Sequence, residues 1–187
     1  MRVHDDSDEA LLTRVADGDR QALAQAYARH AGSLLAYLAH LTGDPLAAED
    51  LVQELFLVVW RDAGRYRGSA SVRAWLYGIA HNLGLMALRR DRRHAVTGES
   101  LDERPGPEPG PVELAALAVD RERLSAALAT LPVAQRAVVE LTFTHGLARA
   151  ETAQVLGCPV GTVKSRLHFA LRALAAALAE PEAYLEK

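Results

Sequence analysis

Between Pro105 and Pro111 the chain reads Pro-Gly-Pro-Glu-Pro-Gly-Pro, and no other stretch constrains its fold so strongly. Proline has no backbone N–H to give to a helix or a ladder, and glycine loses the most freedom when it is ordered. Neither helix nor sheet is sustained across such a run. The 187 residues therefore divide into two small domains, 8–94 and 118–180, joined by a flexible Pro/Gly/acidic linker at 95–117. As a coil that linker spans about 25 Å on average. Fully drawn out it reaches about 75 Å.

Outside the linker the composition favours helix. Half of the residues are hydrophobic, alanine and leucine dominate, and β-branched runs are scarce. The expected class is all-α, with four helices in each domain. In the first domain, a helix from about Asp8 turns Leu11, Leu12 and Val15 inward and breaks at Asp17-Gly-Asp. A second follows the N-cap Asp19 and carries Leu23, Tyr27, Leu34, Leu35, Leu38 and Leu41 to Gly43. Asp44-Pro45 opens a third, through Leu51, Leu55, Val59 and Trp60. A fourth begins near Ser71, carries Val72, Trp75, Ile79, Leu83 and Leu88, and ends in the arginines at 89–93. In the second domain the helices fall at about 118–130, 132–144, 148–156 and 159–179.

The last two of these read as a helix-turn-helix. Gly157 can take the left-handed conformation that ends one helix, and Pro159 fits the first turn of the next. The second helix turns Val163, Leu167, Leu171 and Leu174 to one face and keeps Thr162, Lys164, Ser165, Arg166 and His168 elsewhere. A plain αα corner is the alternative. Against it, the stretch from Gly161 to Ala179 holds Lys164, Arg166 and Arg172 and no acid. Such a helix can lie in a DNA major groove and present polar side chains to base edges.

The net charge of −3 conceals an alternation. Residues 1–60 carry four positive and ten negative side chains, and residues 61–94 carry eight positive and two negative. The linker has a net charge of −4, residues 118–180 of +2, and 181–187 of −1. Nucleic-acid affinity follows local basic surface rather than the total, so the acidic zones need another partner. Glu49 and Asp50 suit a helix N-terminus. Gln53, Glu54 and Phe56 are read instead as a docking patch for a protein, with Phe56 exposed because Leu51, Val52 and Leu55 take the inner face. Between Arg61 and Arg93, basic residues interleave with aromatics, as single-stranded nucleic acid requires: cations on phosphates, rings under bases. The alternative puts Trp75 and Tyr77 in the core, which leaves Tyr66 and the arginines at 89–93 exposed.

Other classes are disfavoured. No apolar run approaches the roughly 18 residues of a membrane span. The acidic N-terminus is no signal peptide, so the expected place is the cytoplasm. A single cysteine, Cys158, excludes an internal disulfide and is read as a small buried residue of the turn. His30, His40, His81, His94, His145 and His168 form no metal-ligand spacing, and no phosphate loop or nucleophile motif occurs. No cofactor, metal or catalytic residue is expected. A helical hydrolase or transferase with an accessory DNA domain is thereby disfavoured. A stand-alone helix-turn-helix regulator with an N-terminal sensing or dimerisation domain remains the alternative.

Four segments, in this order and spacing, resemble the extracytoplasmic-function (ECF) sigma factors of bacterial RNA polymerase. Ala48-Glu-Asp-Leu-Val-Gln-Glu-Leu-Phe-Leu-Val-Val-Trp-Arg61 is similar to the family's clamp-binding helix. The stretch from Tyr66 to Leu83, with Ala87-Leu-Arg-Arg90, is similar to the segment that opens and reads the −10 element. Leu131-Pro-Val-Ala-Gln-Arg-Ala-Val-Val-Glu-Leu141 and Gly157-Cys-Pro-Val-Gly-Thr-Val-Lys-Ser-Arg-Leu167 are similar to the −35 reader.

The resemblance implies a non-enzymatic factor that binds the β and β′ subunits of core polymerase and promoter DNA, and that an anti-sigma factor regulates. It assigns Asp50, Gln53, Glu54 and Phe56 to the polymerase. It assigns Arg65, Tyr66, Arg67, Gly68, Ser69, Ser71, Arg73, Trp75, Asn82, Arg89, Arg90, Arg92 and Arg93 to −10 DNA, with a flipped base held by the loop from Gly68 to Val72. It assigns Arg149, Thr162, Lys164, Ser165, Arg166, His168, Phe169 and Arg172 to −35 DNA. The linker would thread toward the RNA exit path. Two departures stand out: Trp75 is followed by Leu76 rather than a second tryptophan, and Phe169 stands where many relatives have arginine.

Overall fold

The structure, a computed structural model, describes residues 7–96 and 115–179. It is all-helical, in two helical domains. The first holds α1 (Asp8–Ala16), α2 (Arg20–Thr42), α3 (Pro45–Asp62) and α4 (Val72–Val96), with a 3-10 turn at Ala63–Arg65. The second holds α5 (Ala115–Thr130), α6 (Val133–Val139), α7 (Arg149–Val155) and α8 (Val160–Ala179), with a π-helical turn at Glu140–Thr144. The expected linker lies mostly outside the described residues. Its two ends are shorter than expected, because α4 runs on to Val96 and α5 begins at Ala115.

Local chemistry sets the helix starts. Asp19 Oδ1 accepts the N–H groups of Gln21 and Ala22 at 2.8 and 3.1 Å. Asp44 does the same for Leu46 and Ala47 at 2.9 and 3.1 Å, with Pro45 in the first turn. Gly43 ends α2 at φ 76°, where a side chain would be strained.

α2 is the spine of the first domain, packed on α1, α3 and α4. Its buried ridge is Ala22, Ala26, His30, Leu34, Tyr37, Leu38 and Leu41. Tyr27, expected inside, is exposed, and Leu23 and Leu35 are half-buried. The reason is the rotation of the ridge: alanines four apart let the neighbouring helices approach closely, and the larger side chains beside them fall at its rim. Gly84 of α4 marks the closest approach, where an added Cβ would lie 2.5 Å from Leu41 Cδ2. α4 itself buries Val72, Leu76, Tyr77, Ala80, Leu83 and Ala87, while Trp75, Ile79 and Leu88 are half-buried. In α8 the stripe is Val163, Leu167, Ala170 and Leu174. Leu171, expected on that face, lies one position around the helix and is exposed.

The domains touch. Ala137, Leu141, Leu147 and Val155 of the second join the buried apolar cluster of the first. α7 packs on α4, and α6 on α2. No helix among the described residues is long and apolar enough to cross a membrane.

Candidate nucleic-acid interface

The outer stripe of α3 is acidic. Asp50, Gln53 and Glu54 are exposed and lie three or four residues apart, hence on one face. Phe56 is not with them. It is 5% exposed, and its ring lies 4.8 Å from that of Tyr27. The expectation of an exposed Phe56 is corrected by helix geometry, since position 56 falls one turn beyond buried Val52. Leu57, at 70%, is the most exposed apolar residue of the stripe, with Leu46 before it and Trp60, expected on the inner face, after it also exposed. Across a groove from Asp50 and Glu54 stand Met86, Arg89, Arg90 and Arg93 of α4. The acidic and basic zones of the sequence thus share one groove.

The loop before α4 is built from its own polar groups. Tyr66 donates its hydroxyl proton to the Ala70 carbonyl at 2.5 Å, and its ring lies 5.7 Å from half-buried Trp75. Gly68 turns the chain at φ 69°. Ser71 Oγ accepts the Ala74 N–H at 3.2 Å and so caps α4. Arg65 is paired with Asp62 at 3.1 Å, while Arg67 and Ser69 are exposed. Asn82, Arg89 and Arg93 follow one exposed face of α4, with Arg90 and Arg92 beside them.

On α8 the residues Lys164, Ser165, His168, Phe169 and Arg172 are exposed and share a face. His168 and Phe169 are in edge contact at 5.6 Å. Thr162 and Arg166 do not join them. Both are half-buried, and Arg166 points inward, 3.9 Å from Cys158 Sγ. Cys158 is likewise half-buried. Arg149 is exposed at the start of α7.

The structure adds a polar cluster between the domains that was not singled out in the sequence. Glu140 is 1% exposed, and its Oε1 lies 3.2 Å from His40 Nδ1. Burial pushes the Glu140 carboxyl up, but the His40 hydrogen bond and the charges of His40 and His145 outweigh it and hold it below its ordinary value. The same bond raises His40. His145 lies against Tyr37 and Tyr77, with ring centroids 5.7 and 4.8 Å away. His81 Nδ1 is 2.8 Å from the Tyr37 hydroxyl. Burial lowers both His81 and His145 to about 4. The available signal was Glu140 itself, a lone charge in the apolar run Ala137-Val-Val-Glu-Leu141.

Two small helical domains, one with a helix-turn-helix and each with an exposed basic face, are the architecture of a DNA-binding protein. Comparison with known proteins makes this specific. The model for Sigma-70 region 2 matches residues 26–94, and that for Sigma-70, region 4 matches 121–174. The ECF RNA polymerase sigma factor SigL of Mycobacterium tuberculosis is 37% identical over 172 residues, 91% of this chain and 97% of its own. RpoE of Cereibacter sphaeroides is 34% identical, over 87% of this chain and 90% of its own. Among solved structures, CnrH in complex with the cytosolic domain of CnrY matches with a TM-score of 0.70 at 26% identity, over 92% of this chain and 97% of that one. RpoE of Bartonella quintana with the anti-sigma factor NepR also matches at 0.70, with 25% identity, over 82% and 94%. The chain belongs to the ECF RNA polymerase sigma factors. It is not an enzyme; it binds core polymerase and directs promoter-specific initiation.

Proposed function

We propose that the division of labour within this sigma factor runs as follows. The outer stripe of α3 docks on core polymerase through Asp50, Gln53 and Glu54, with Leu57 supplying the apolar contact that Phe56 cannot. The loop from Tyr66 to Ser71, with Arg73 and the exposed arginines of α4, takes the melted −10 strand and its phosphates. The outer face of α8, from Lys164 to Arg172, lies in the −35 major groove, with Arg149 of α7 on the backbone. The observation that carries this is the placement of exposed cationic faces on both domains of one chain. Two weak contacts on one promoter then reinforce each other, because the first raises the effective concentration of the second. Domain limits near 8–94 and 118–180 fit this reading, and the segment between them supplies the span.

An anti-sigma factor is the natural regulator, by analogy with the NepR complex. It would cover the α3 stripe or the basic faces. The place of action is where polymerase and chromosome are, the cytoplasm.

Transcription in vitro with sigma-free core polymerase and mapped 5′ ends tests the reading. Addition of the chain should create new start sites preceded by two shared boxes. Asp50→Lys with Glu54→Lys should abolish those starts and the pull-down of polymerase, while leaving the helical circular dichroism intact. Start sites unchanged by the chain, or polymerase binding unchanged by the double reversal, would overturn it.

A further inference from the structure

The outer face of α8 holds few groups that can read a base by hydrogen bonding. Opposite the buried stripe of Val163, Leu167, Ala170 and Leu174 stand Gly161, Ser165, His168, Phe169 and Arg172, all exposed, with Lys164 beside them. The Ser165 hydroxyl gives its proton to the Thr162 carbonyl at 3.0 Å. Arg166 is turned inward against Cys158. What the middle of the face presents is a phenyl ring. Phe169 is 57% exposed and meets the edge of His168, with 68° between the ring planes. A Cβ at Gly161, in the first turn of the same face, would meet no described neighbour within 4 Å. Glycine inside a helix lowers its stability, and no packing within the chain requires one there. Bare backbone at that point lets α8 approach a groove closely.

We propose that α8 reads a thymine of the −35 element through its 5-methyl group, and that Phe169 is the residue that selects it. The inference rests on the assignment of α8 to the −35 groove. In the major groove each base pair shows its own pattern of donors and acceptors, and thymine alone adds a methyl group. A phenyl ring cannot match the O6 and N7 of guanine or the N6 and N7 of adenine. Laid over such an edge it leaves buried polar groups unpaired, which is costly. Laid on a methyl group it removes apolar surface from water on both sides. Lys164 and Arg172 flank the ring along the helix. They are left for phosphates, which position the helix and carry no sequence.

Removing the methyl group alone tests this. A template pool randomised over the −35 box, transcribed by core polymerase with the chain, should show thymine preferred at one position. A synthetic promoter with deoxyuridine in place of that thymine keeps every donor and acceptor and lacks only the methyl. Binding of the chain–polymerase complex to the two duplexes is compared by fluorescence anisotropy. Deoxyuridine should weaken it by about fourfold, the factor that burial of one methyl group supplies. With Phe169→Ala the two duplexes should bind alike. Because position 169 is exposed, that variant should keep the circular dichroism spectrum and melting temperature of the wild type.

A pool with no thymine preference overturns the proposal. So does equal binding of the two duplexes by the wild type, or a deoxyuridine loss that persists undiminished in Phe169→Ala. Lys164→Glu with Arg172→Glu separates the two failures. If that double reversal leaves promoter binding unaffected, α8 is not in the −35 groove and the underlying assignment is at fault. If it weakens binding to every −35 sequence while the wild type binds thymine and deoxyuridine alike, the methyl reading alone falls.

Discussion

The correction at Phe56 yields a sharp test of the docking surface. Complete burial of a leucine side chain contributes about 1.5–3 kcal/mol. Leu57 is 70% exposed, so about 1–2 kcal/mol of that remains available to a partner. Leu57→Ala should weaken binding to core polymerase by about 5- to 30-fold. It should shift the melting temperature by no more than about 3 °C, because nothing in the folded core depends on an exposed side chain. Phe56→Ala should do the reverse. It removes a 5%-exposed ring packed on Tyr27. The cavity and lost transfer energy cost about 3–5 kcal/mol, which lowers melting by about 10 °C or more. Below that temperature its affinity for polymerase should stay within about twofold of wild type. A fluorescence-anisotropy titration of labelled chain with core polymerase, beside a thermal melt of each variant, gives both numbers. Normal affinity in Leu57→Ala, together with lost affinity in a folded Phe56→Ala, would refute the placement of the docking face.

Other expectations follow from the packing and the charges. Gly84→Ala forces a Cβ to within 2.5 Å of Leu41 Cδ2 and should destabilise by about 1–3 kcal/mol, whereas Gly32→Ala meets nothing within 4 Å and should stabilise by about 0.5–1 kcal/mol; denaturant melts of the same sign for both would contradict the α2–α4 packing. His81 and His145 are held at about 4 when folded and return to about 6.5 when unfolded, so the unfolded chain binds more protons between those values and stability falls as pH drops through that window. His81 contributes about 2–3 kcal/mol to the loss by pH 4. Burial leads the shift of His145 as well, with Glu140 opposing it and Arg73 and His40 adding to it. His40, raised by Glu140, acts the other way: its contribution is complete below about 6.5 and fades as pH rises through its folded value. A melting temperature that does not fall between pH 6.5 and 4 would exclude neutral buried imidazoles. Phe169→Arg adds a guanidinium to an exposed position on α8, and should create a guanine preference worth about 1–3 kcal/mol at one −35 position; transcription from a template pool randomised over the −35 box measures it, and an unchanged preference would remove Phe169 from the groove.

What the sequence made legible, and what it did not, divides by the range of the physics. Asp19, Asp44 and Gly43 act within one turn of chain, and their helices begin and end where those residues require. The helix-turn-helix is just as local, since Gly157 and Pro159 determine its corner by their own backbone preferences. Periodicity misplaces Phe56, Tyr27, Trp60 and Leu171 by one position, and in each case size misleads. The hydrophobicity of its neighbours points a large apolar side chain inward or outward, whereas alanines such as Ala22, Ala26 and Ala170 are the residues buried where the helices pack. The domain contact was beyond reach for a different reason. His40 and Glu140 stand a hundred residues apart on either side of the linker, and nothing local distinguishes a histidine on a helix surface from one that meets a buried carboxylate. Yet burying Glu140 without a partner would be costly, so a charge at the centre of Val138-Val-Glu-Leu141 already demands a cation from elsewhere. That demand is met across the contact that also engages Ser71 and Arg73, and the burial of one carboxylate is thereby tied to the packing of α7 on the start of α4.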